Sequence, residues 1–263
     1  MRSVGSAVTL AAVIALAGCA TGSGSATDAS TQTDAATPTT PTTVTVFAAA
    51  SLAEAFDEIA ERFEAEHPLT DVVLNSGGSS ALAQQIVQGA PADVFASAAE
   101  SPMQAVIDAG LASDAAILAT NTLELVTPAG NPAGITGLED LARPELRVAL
   151  CDVSVPCGAA STTLLEQHGV AASADTLESD VTAVLTKVVL GEVDAALVYR
   201  TDVIAAGDAV EGIEVPGTAS VVTRSRIAAM TDATDPATAA AFVSFTTGAD
   251  GRAVLDAAGF GAP

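Results

Sequence analysis

From residue 44 onward, short β-prone runs alternate with segments whose apolar residues fall at helical spacing, and small residues occupy the joints. Val44, Val46 and Phe47 mark a first strand. Leu52, Phe56, Ile59, Ala60 and Phe63 then recur at helical steps, with Asp57, Glu58, Glu61, Arg62 and Glu64 on the wet face and Pro68 as a stop. The same pattern predicts strands over 71–75, 92–97, 122–126, 146–150 and 194–199. It predicts helices over 103–109, 159–168, 181–190, 236–246 and 251–258, and one after 76–80 carrying Leu82, Ile86 and Val87. Shorter helical pieces fall at 138–141 and 202–206, a weak edge strand at 214–215 and an extended segment at 221–223. Strands separated by helices restrict the chain to α/β layers whose sheets are covered on both faces. No repeat of fixed period appears, and the pattern does not decide between one sheet and two.

The joints carry the chemistry. A strand gives way to a small hydroxyl or glycine turn and then to a helix at Ala49-Ala50-Ser51, at Gly77-Gly78-Ser79-Ser80 and at Pro156-Cys157-Gly158-Ala159; a fourth helix begins near Ser179-Asp180-Val181. A helix start presents N–H groups with no intrahelical acceptor and a partial positive charge, a combination that binds compact anions. Each serine, taken alone, is read as an N-cap before it is read as a ligand donor; four such ends matter only where a fold brings them together. Cationic side chains are sparse at these turns. Asp180 is placed to cap its own helix, Lys187 lies several residues into a helix, and Arg200 follows a strand end. Tyr199, the only tyrosine, is a further hydroxyl donor at that strand end.

Residues 1–18 form a processing signal: Arg2 gives a positive charge, Val8 to Leu16 a short apolar run, and small residues follow. That run is short for a permanent membrane span. Residues 19–43 carry no aromatic or large aliphatic side chain, and they read as a flexible tether stiffened near Pro38 and Pro41. About 220 residues remain to fold, enough for one large domain or two medium ones.

The formal charge is -23, with only nine Lys plus Arg against 32 Asp plus Glu. So few cations make no track for a nucleic-acid backbone, and nucleic acid is excluded as a partner. The acidic surface slows the approach of an anion, but local amide and hydroxyl dipoles govern a dry cleft, and the long-range repulsion is screened by salt. Cys151 and Cys157 are candidates for a disulfide closing a small loop in an oxidising compartment; two free, partly buried thiols are the alternative. Neither His67 nor His168 has ligand-like spacing to these cysteines, so no metal site is expected.

Enzymatic readings fail on the same residues. Cys157 and His168, as nucleophile and base on one helix, would be separated by a rise of about 16 Å, beyond hydrogen-bond reach. His67 lies beside Pro68 in an expected loop, where a solvated histidine is ordinary. The Gly-Xaa-Ser-Xaa-Gly elbow, the P-loop and the dinucleotide fingerprint are absent. No catalytic residue is expected, and a secreted hydrolase survives only as a remote alternative.

Several blocks resemble a known family. Val46-Phe47-Ala48-Ala49-Ala50-Ser51-Leu52 is similar to the opening motif of bacterial periplasmic molybdate-binding proteins. Ser79-Ser80-Ala81-Leu82-Ala83-Gln84-Gln85-Ile86 and Gly89-Ala90-Pro91-Ala92-Asp93-Val94-Phe95 resemble its second and third blocks, and Val155-Pro156-Cys157-Gly158 its Val-Pro-Ala-Gly turn. Asp180-Val181, with Tyr199 eighteen residues after Val181, matches in spacing and type. The resemblance implies an α/β, two-lobed periplasmic-binding-protein fold with two crossover strands, closing on a tetrahedral dianion. The lobes would be 44–122 with 218–263, and 123–217. Ser51 and Ser79 would supply hydroxyl and backbone donors, Cys157 and Val181 backbone N–H groups, and Tyr199 its hydroxyl. The ligand would be molybdate or tungstate, with another oxyanion such as sulfate as the alternative, and no cofactor. The partner would be the membrane permease of an ATP-driven ABC importer, served by a monomer. Leu16-Ala17-Gly18-Cys19 resembles a bacterial lipobox, which implies lipidation of Cys19 and anchoring at the outer face of the cytoplasmic membrane. Two departures stand out: Cys157 replaces the family's alanine, and Ser225-Arg226 stands where Tyr-Pro is common, placing Arg226 as a residue expected to alter the cleft rim.

Overall fold

The computed structural model describes residues 40–263. The signal peptide, Cys19 and the tether as far as residue 39 lie outside the described residues. In chain order the elements are β1 (Thr42–Ala49), α1 (Ala53–Glu66), β2 (Thr70–Gly77), α2 (Ser79–Val87), β3 (Val94–Ser97), α3 (Glu100–Asp108), β4 (Ala116–Asn121) and β5 (Leu123–Pro128). There follow β6 (Val148–Cys151), α4 (Pro156–His168), β7 (Thr176–Glu178), α5 (Val181–Val189), β8 (Ala195–Tyr199), α6 (Arg200–Ala206), β9 (Val210–Ile213), β10 (Thr223–Ala229), α7 (Pro236–Thr247) and α8 (Ala249–Ala257). A 3-10 turn at Ala50–Leu52 leads into α1.

The strands form two five-stranded sheets, ordered β2-β1-β3-β10-β4 and β7-β6-β8-β5-β9. In the first, β1 runs parallel to β2 and β3, while β10 is antiparallel to β3 and β4. In the second, β6 is parallel to β7 and β8, while β5 is antiparallel to β8 and β9. Each sheet is thus a parallel set with a returning antiparallel strand, and the two have the same order of senses. The chain passes between them twice, at Thr122 between β4 and β5 and again between β9 and β10. This is the two-lobed periplasmic-binding-protein architecture with two crossovers. Val46, Ala48, Val94 and Ala96 of the first sheet, and Val148, Ala149, Leu197 and Val198 of the second, are buried within separate apolar cores. Against the first sheet, Phe63 of α1 packs edge-on to Phe242 and Phe245 of α7, with ring centroids 5.2 and 5.5 Å apart.

Several elements depart from the sequence expectation. β4 was not anticipated: alanine-rich Ala-Ile-Leu-Ala-Thr-Asn has weak strand preference, and pairing along β10 supplies it. β7 is only three residues and was missed for the same reason of scale. The edge strand expected at 214–215 lies earlier, at β9, where it pairs with β5. β1 begins at Thr42, paired with Thr70, so the last two residues read as tether already belong to the sheet. α4 begins at Pro156, a residue suited to the first helical position because its missing N–H is not needed there. His67 is not a freely solvated histidine: it is half-buried and stacked on Phe63, ring centroids 4.2 Å apart.

Candidate functional site

The carboxyl ends of the parallel strands from both sheets point towards one place. β1 ends at Ala49 and turns through Ser51; β2 ends at Gly77 and enters α2 at Ser79. From the other sheet, β6 ends at Cys151 ahead of α4, β7 ends at Glu178 ahead of α5, and β8 ends at Tyr199. Ligands of α/β proteins bind outside such strand ends. Here the ends enclose a small cavity lined by Ser51, Ser79, Cys157, Val181 and Tyr199, together with Gly78, Ala98 and Asp180. All five residues singled out in the sequence as oxyanion donors therefore face one space, and they come from both lobes.

Each of the five residues is held by its local structure. Ser79 and Val181 are the first residues of α2 and α5, and Cys157 is the second of α4. Their N–H groups lie in the first turn, where no intrahelical carbonyl is available. Neither Ser51 nor Ser79 caps a helix with its side chain; Gly78 is the N-cap of α2. The hydroxyl of Ser79, only 2% exposed, accepts from Ala98 N at 3.0 Å, which orients the oxygen and leaves its proton to donate. Asp180 does cap α5, accepting from Ala183 N at 2.9 Å, so its carboxylate is turned onto its own helix and away from the role of ligand. The Tyr199 hydroxyl is buried without a hydrogen-bond partner among the described residues. Burial, with the charge of Asp202 adding to it and Thr223 opposing it, raises the phenol far above its ordinary range and keeps it protonated as a donor. The Thr223 hydroxyl itself donates to Asn121 O at 3.2 Å.

Among the described residues, no lysine or arginine lines this cavity. Lys187 pairs with Glu178 and Glu192, and Arg200 sits instead beside Glu124 and Glu214 in a separate surface cleft. Arg226, expected at the cleft rim, bonds Glu100 at 3.1 Å and Ala115 O at 3.3 Å and does not line the cavity; its position on β10 aims it along the sheet towards α3. An uncharged cradle of N–H and O–H donors avoids the cost of burying a cation and still gives an anion's oxygens their hydrogen bonds.

Cys151 and Cys157 are joined, with an S–S distance of 2.01 Å and Cα atoms 5.7 Å apart. The bond closes the loop between β6 and α4 and removes the thiolate that a nucleophilic role would require. Gly158 is needed behind this loop: a Cβ there would lie 1.9 Å from Asp152 O.

Asp202, in the first turn of α6, was not signalled by any sequence pattern. It is buried and accepts from Tyr199 N at 2.8 Å, fixing the end of β8 that carries the tyrosine. Burial raises its pKa from 3.8 to about 7; the Tyr199 N–H bond opposes the rise and the charge of Glu54 adds to it. Because the folded-state pKa is raised, folding takes up a proton between the two values. Its favourable effect is complete below pH 3.8 and is lost as pH rises through 7. Asp202→Asn keeps an acceptor for Tyr199 N without the charge, and it should stabilise the protein at pH 8 by ~2–4 kcal/mol more than at pH 4. Thermal unfolding of both proteins at the two pH values checks this; an equal effect at both would refute it.

The comparisons with known proteins agree with this architecture. Residues 44–261 match the family model described as bacterial extracellular solute-binding protein. The chain is 43% identical over 221 residues to the molybdate-binding protein ModA of Mycobacterium tuberculosis, covering 84% of this chain and 85% of that protein. It is 37% identical over 164 residues to YvgL of Bacillus subtilis, a putative ABC transporter substrate-binding lipoprotein, covering 60% and 63% of the two chains. The solved Azotobacter vinelandii periplasmic molybdate-binding protein superposes with a TM-score of 0.74 at 23% identity, covering 84% of this chain and 99% of that one. The fold is thus that of a two-lobed solute-binding protein, a class that binds rather than transforms its guest. The chain belongs to the bacterial extracellular solute-binding protein family that includes the ModA proteins.

Proposed function

We propose that this protein captures molybdate or tungstate outside the cytoplasmic membrane and delivers it to the membrane permease of an ATP-driven ABC importer. The observation that carries the reading is the meeting of Ser51, Ser79, Cys157, Val181 and Tyr199 at one small cavity without a cationic side chain. A tetrahedral dianion offers four oxygens, each able to accept more than one hydrogen bond. The two serine hydroxyls, the tyrosine hydroxyl and the first-turn amides replace its water shell. Such donors distinguish guests by size and by protonation: a protonated oxyanion brings a donor to a place that presents only donors, and a smaller tetrahedron such as sulfate cannot reach all of them at once. The relative from M. tuberculosis, named as a molybdate-binding protein, supports the choice of anion.

The lobes are residues 42–122 with 218–263, and 123–217, and they close as a monomer by bending at the two crossovers. Cys19 carries the lipid, and residues 19–41 let the folded part stand off the outer face of the membrane; the B. subtilis relative, described as a lipoprotein, supports the anchor. Calorimetric titration of ligand-free protein with molybdate, tungstate and sulfate tests the anion. Saturable binding of the first two, each at least tenfold tighter than sulfate, is expected. Tighter binding of sulfate, or heat from none of the three, would overturn it.

A further inference from the structure

The three residues that open α2 do different things, and only the middle one is a ligand donor. Gly78 lies against the other lobe: a Cβ on it would be 2.6 Å from Ser179 O. Ser79 turns into the cavity. Ser80 reaches past the cavity, and its hydroxyl donates to Ser154 O at 2.9 Å. Ser154 is in the short loop between β6 and α4 that the Cys151–Cys157 bond closes. That loop is braced from within, since Asp152 accepts from both Ser154 N and the Ser154 hydroxyl, and Val155 N donates to Asp152 O at 3.1 Å. It is tied to the sheet as well, because Asp152 N donates to Glu178 O at 2.8 Å.

We infer that Ser80 and the disulfide-closed loop 151–157 form a latch that holds the two lobes shut over the anion, and so set how long the guest is retained. The inference rests on the anion-capture reading above and adds a residue that does not touch the guest. The hydrogen bond exists only when the lobes meet, so it stabilises the closed form and not the open one, and a contact of that kind slows release far more than it speeds capture. The disulfide matters because a carbonyl on a loose loop would lose more entropy on accepting the bond than one on a loop already fixed.

Stopped-flow release of molybdate into excess tungstate, detected by rapid filtration of radiolabelled molybdate, tests it on the folded protein. Ser80→Ala should raise the dissociation rate about fivefold, the factor equivalent to ~1 kcal/mol for one neutral hydrogen bond, with the association rate changed less than twofold. Ser80→Thr, which keeps the hydroxyl, should restore slow release. With Cys151 and Cys157 both replaced by serine, Ser80→Ala should have a smaller effect than in the bridged protein. An unchanged release rate in Ser80→Ala overturns the latch. An equal effect with and without the bridge overturns the part given to the disulfide. Failure of the parent protein to bind molybdate at all would instead refute the anion-capture reading. Should the cysteine variant not fold, Ser80→Ala alone still decides the latch, since Ser80 is only half-buried and its loss leaves the core untouched.

Discussion

Replacing Ser51 and Ser79 together by alanine should remove the rise in melting temperature that molybdate gives the parent protein. A hydrogen bond to a charged group contributes about 1.5–3 kcal/mol, so losing two hydroxyl donors weakens binding by at least a hundredfold. Stabilisation by a ligand follows the ratio of its concentration to the dissociation constant, and at ligand concentrations that saturate the parent this loss leaves little shift to observe. The two positions differ in their effect on the unliganded protein. Ser79 accepts from the N–H of Ala98, so its replacement leaves that donor unpaired and costs about 1–3 kcal/mol. Ser51→Ala leaves no comparable gap and should melt with the parent. Measured together by calorimetry and thermal unfolding, the pair separates loss of the site from loss of the fold. A double variant that binds as tightly as the parent would show that these hydroxyls are not the donors.

Gly78→Ala should fold normally and yet lose tight retention. Gly78 has ordinary backbone angles, φ −62° and ψ 128°, so alanine is not strained by its own conformation. The obstacle is across the cleft, where the new methyl would lie 2.6 Å from the Ser179 carbonyl oxygen. That oxygen belongs to the other lobe's backbone, just ahead of Asp180 and α5, and it cannot swing away as a side-chain end does. The lobes must stop short of full contact, and the amides of Cys157 and Val181 and the hydroxyl of Tyr199 then stand too far from an anion held by Ser79. The second lobe's donors are weakened without any being mutated, and affinity should fall by about a hundredfold. Small-angle scattering with saturating molybdate should find the variant more open than the parent. Equal affinity and equal compaction would contradict the close approach.

Much of this was legible in the sequence, and for definite reasons. The alternation of strand and helix, the serines at helix starts and the position of Tyr199 at a strand end all come from local preference, which the chain states directly. The two sheets were not legible from pattern alone, because nothing local distinguishes a strand that joins its neighbour from one that crosses to a second sheet; the family resemblance supplied that. β4 and β9 were missed or displaced because Ala116–Asn121 and Val210–Ile213 take their extended form from pairing with β10 and β5. Gly78 gave a partial signal, since a glycine pair before a helix suggests close approach, but its partner Ser179 is a hundred residues away. Asp202 gave none: an aspartate in a helix's first turn is ordinary, and only burial beneath Tyr199 makes it unusual. The place of the Arg226 side chain was not legible either, as register on β10 and the pull of Glu100 decide where it goes.

The most direct test is a crystal structure of the protein grown with molybdate, with anomalous data collected on either side of the molybdenum absorption edge. The expected result is one strong anomalous peak between the two sheets, with oxygens within hydrogen-bond distance of the hydroxyls of Ser51, Ser79 and Tyr199 and of the amides of Cys157 and Val181. A peak elsewhere on the molecule, with that cavity filled by water alone, would contradict it.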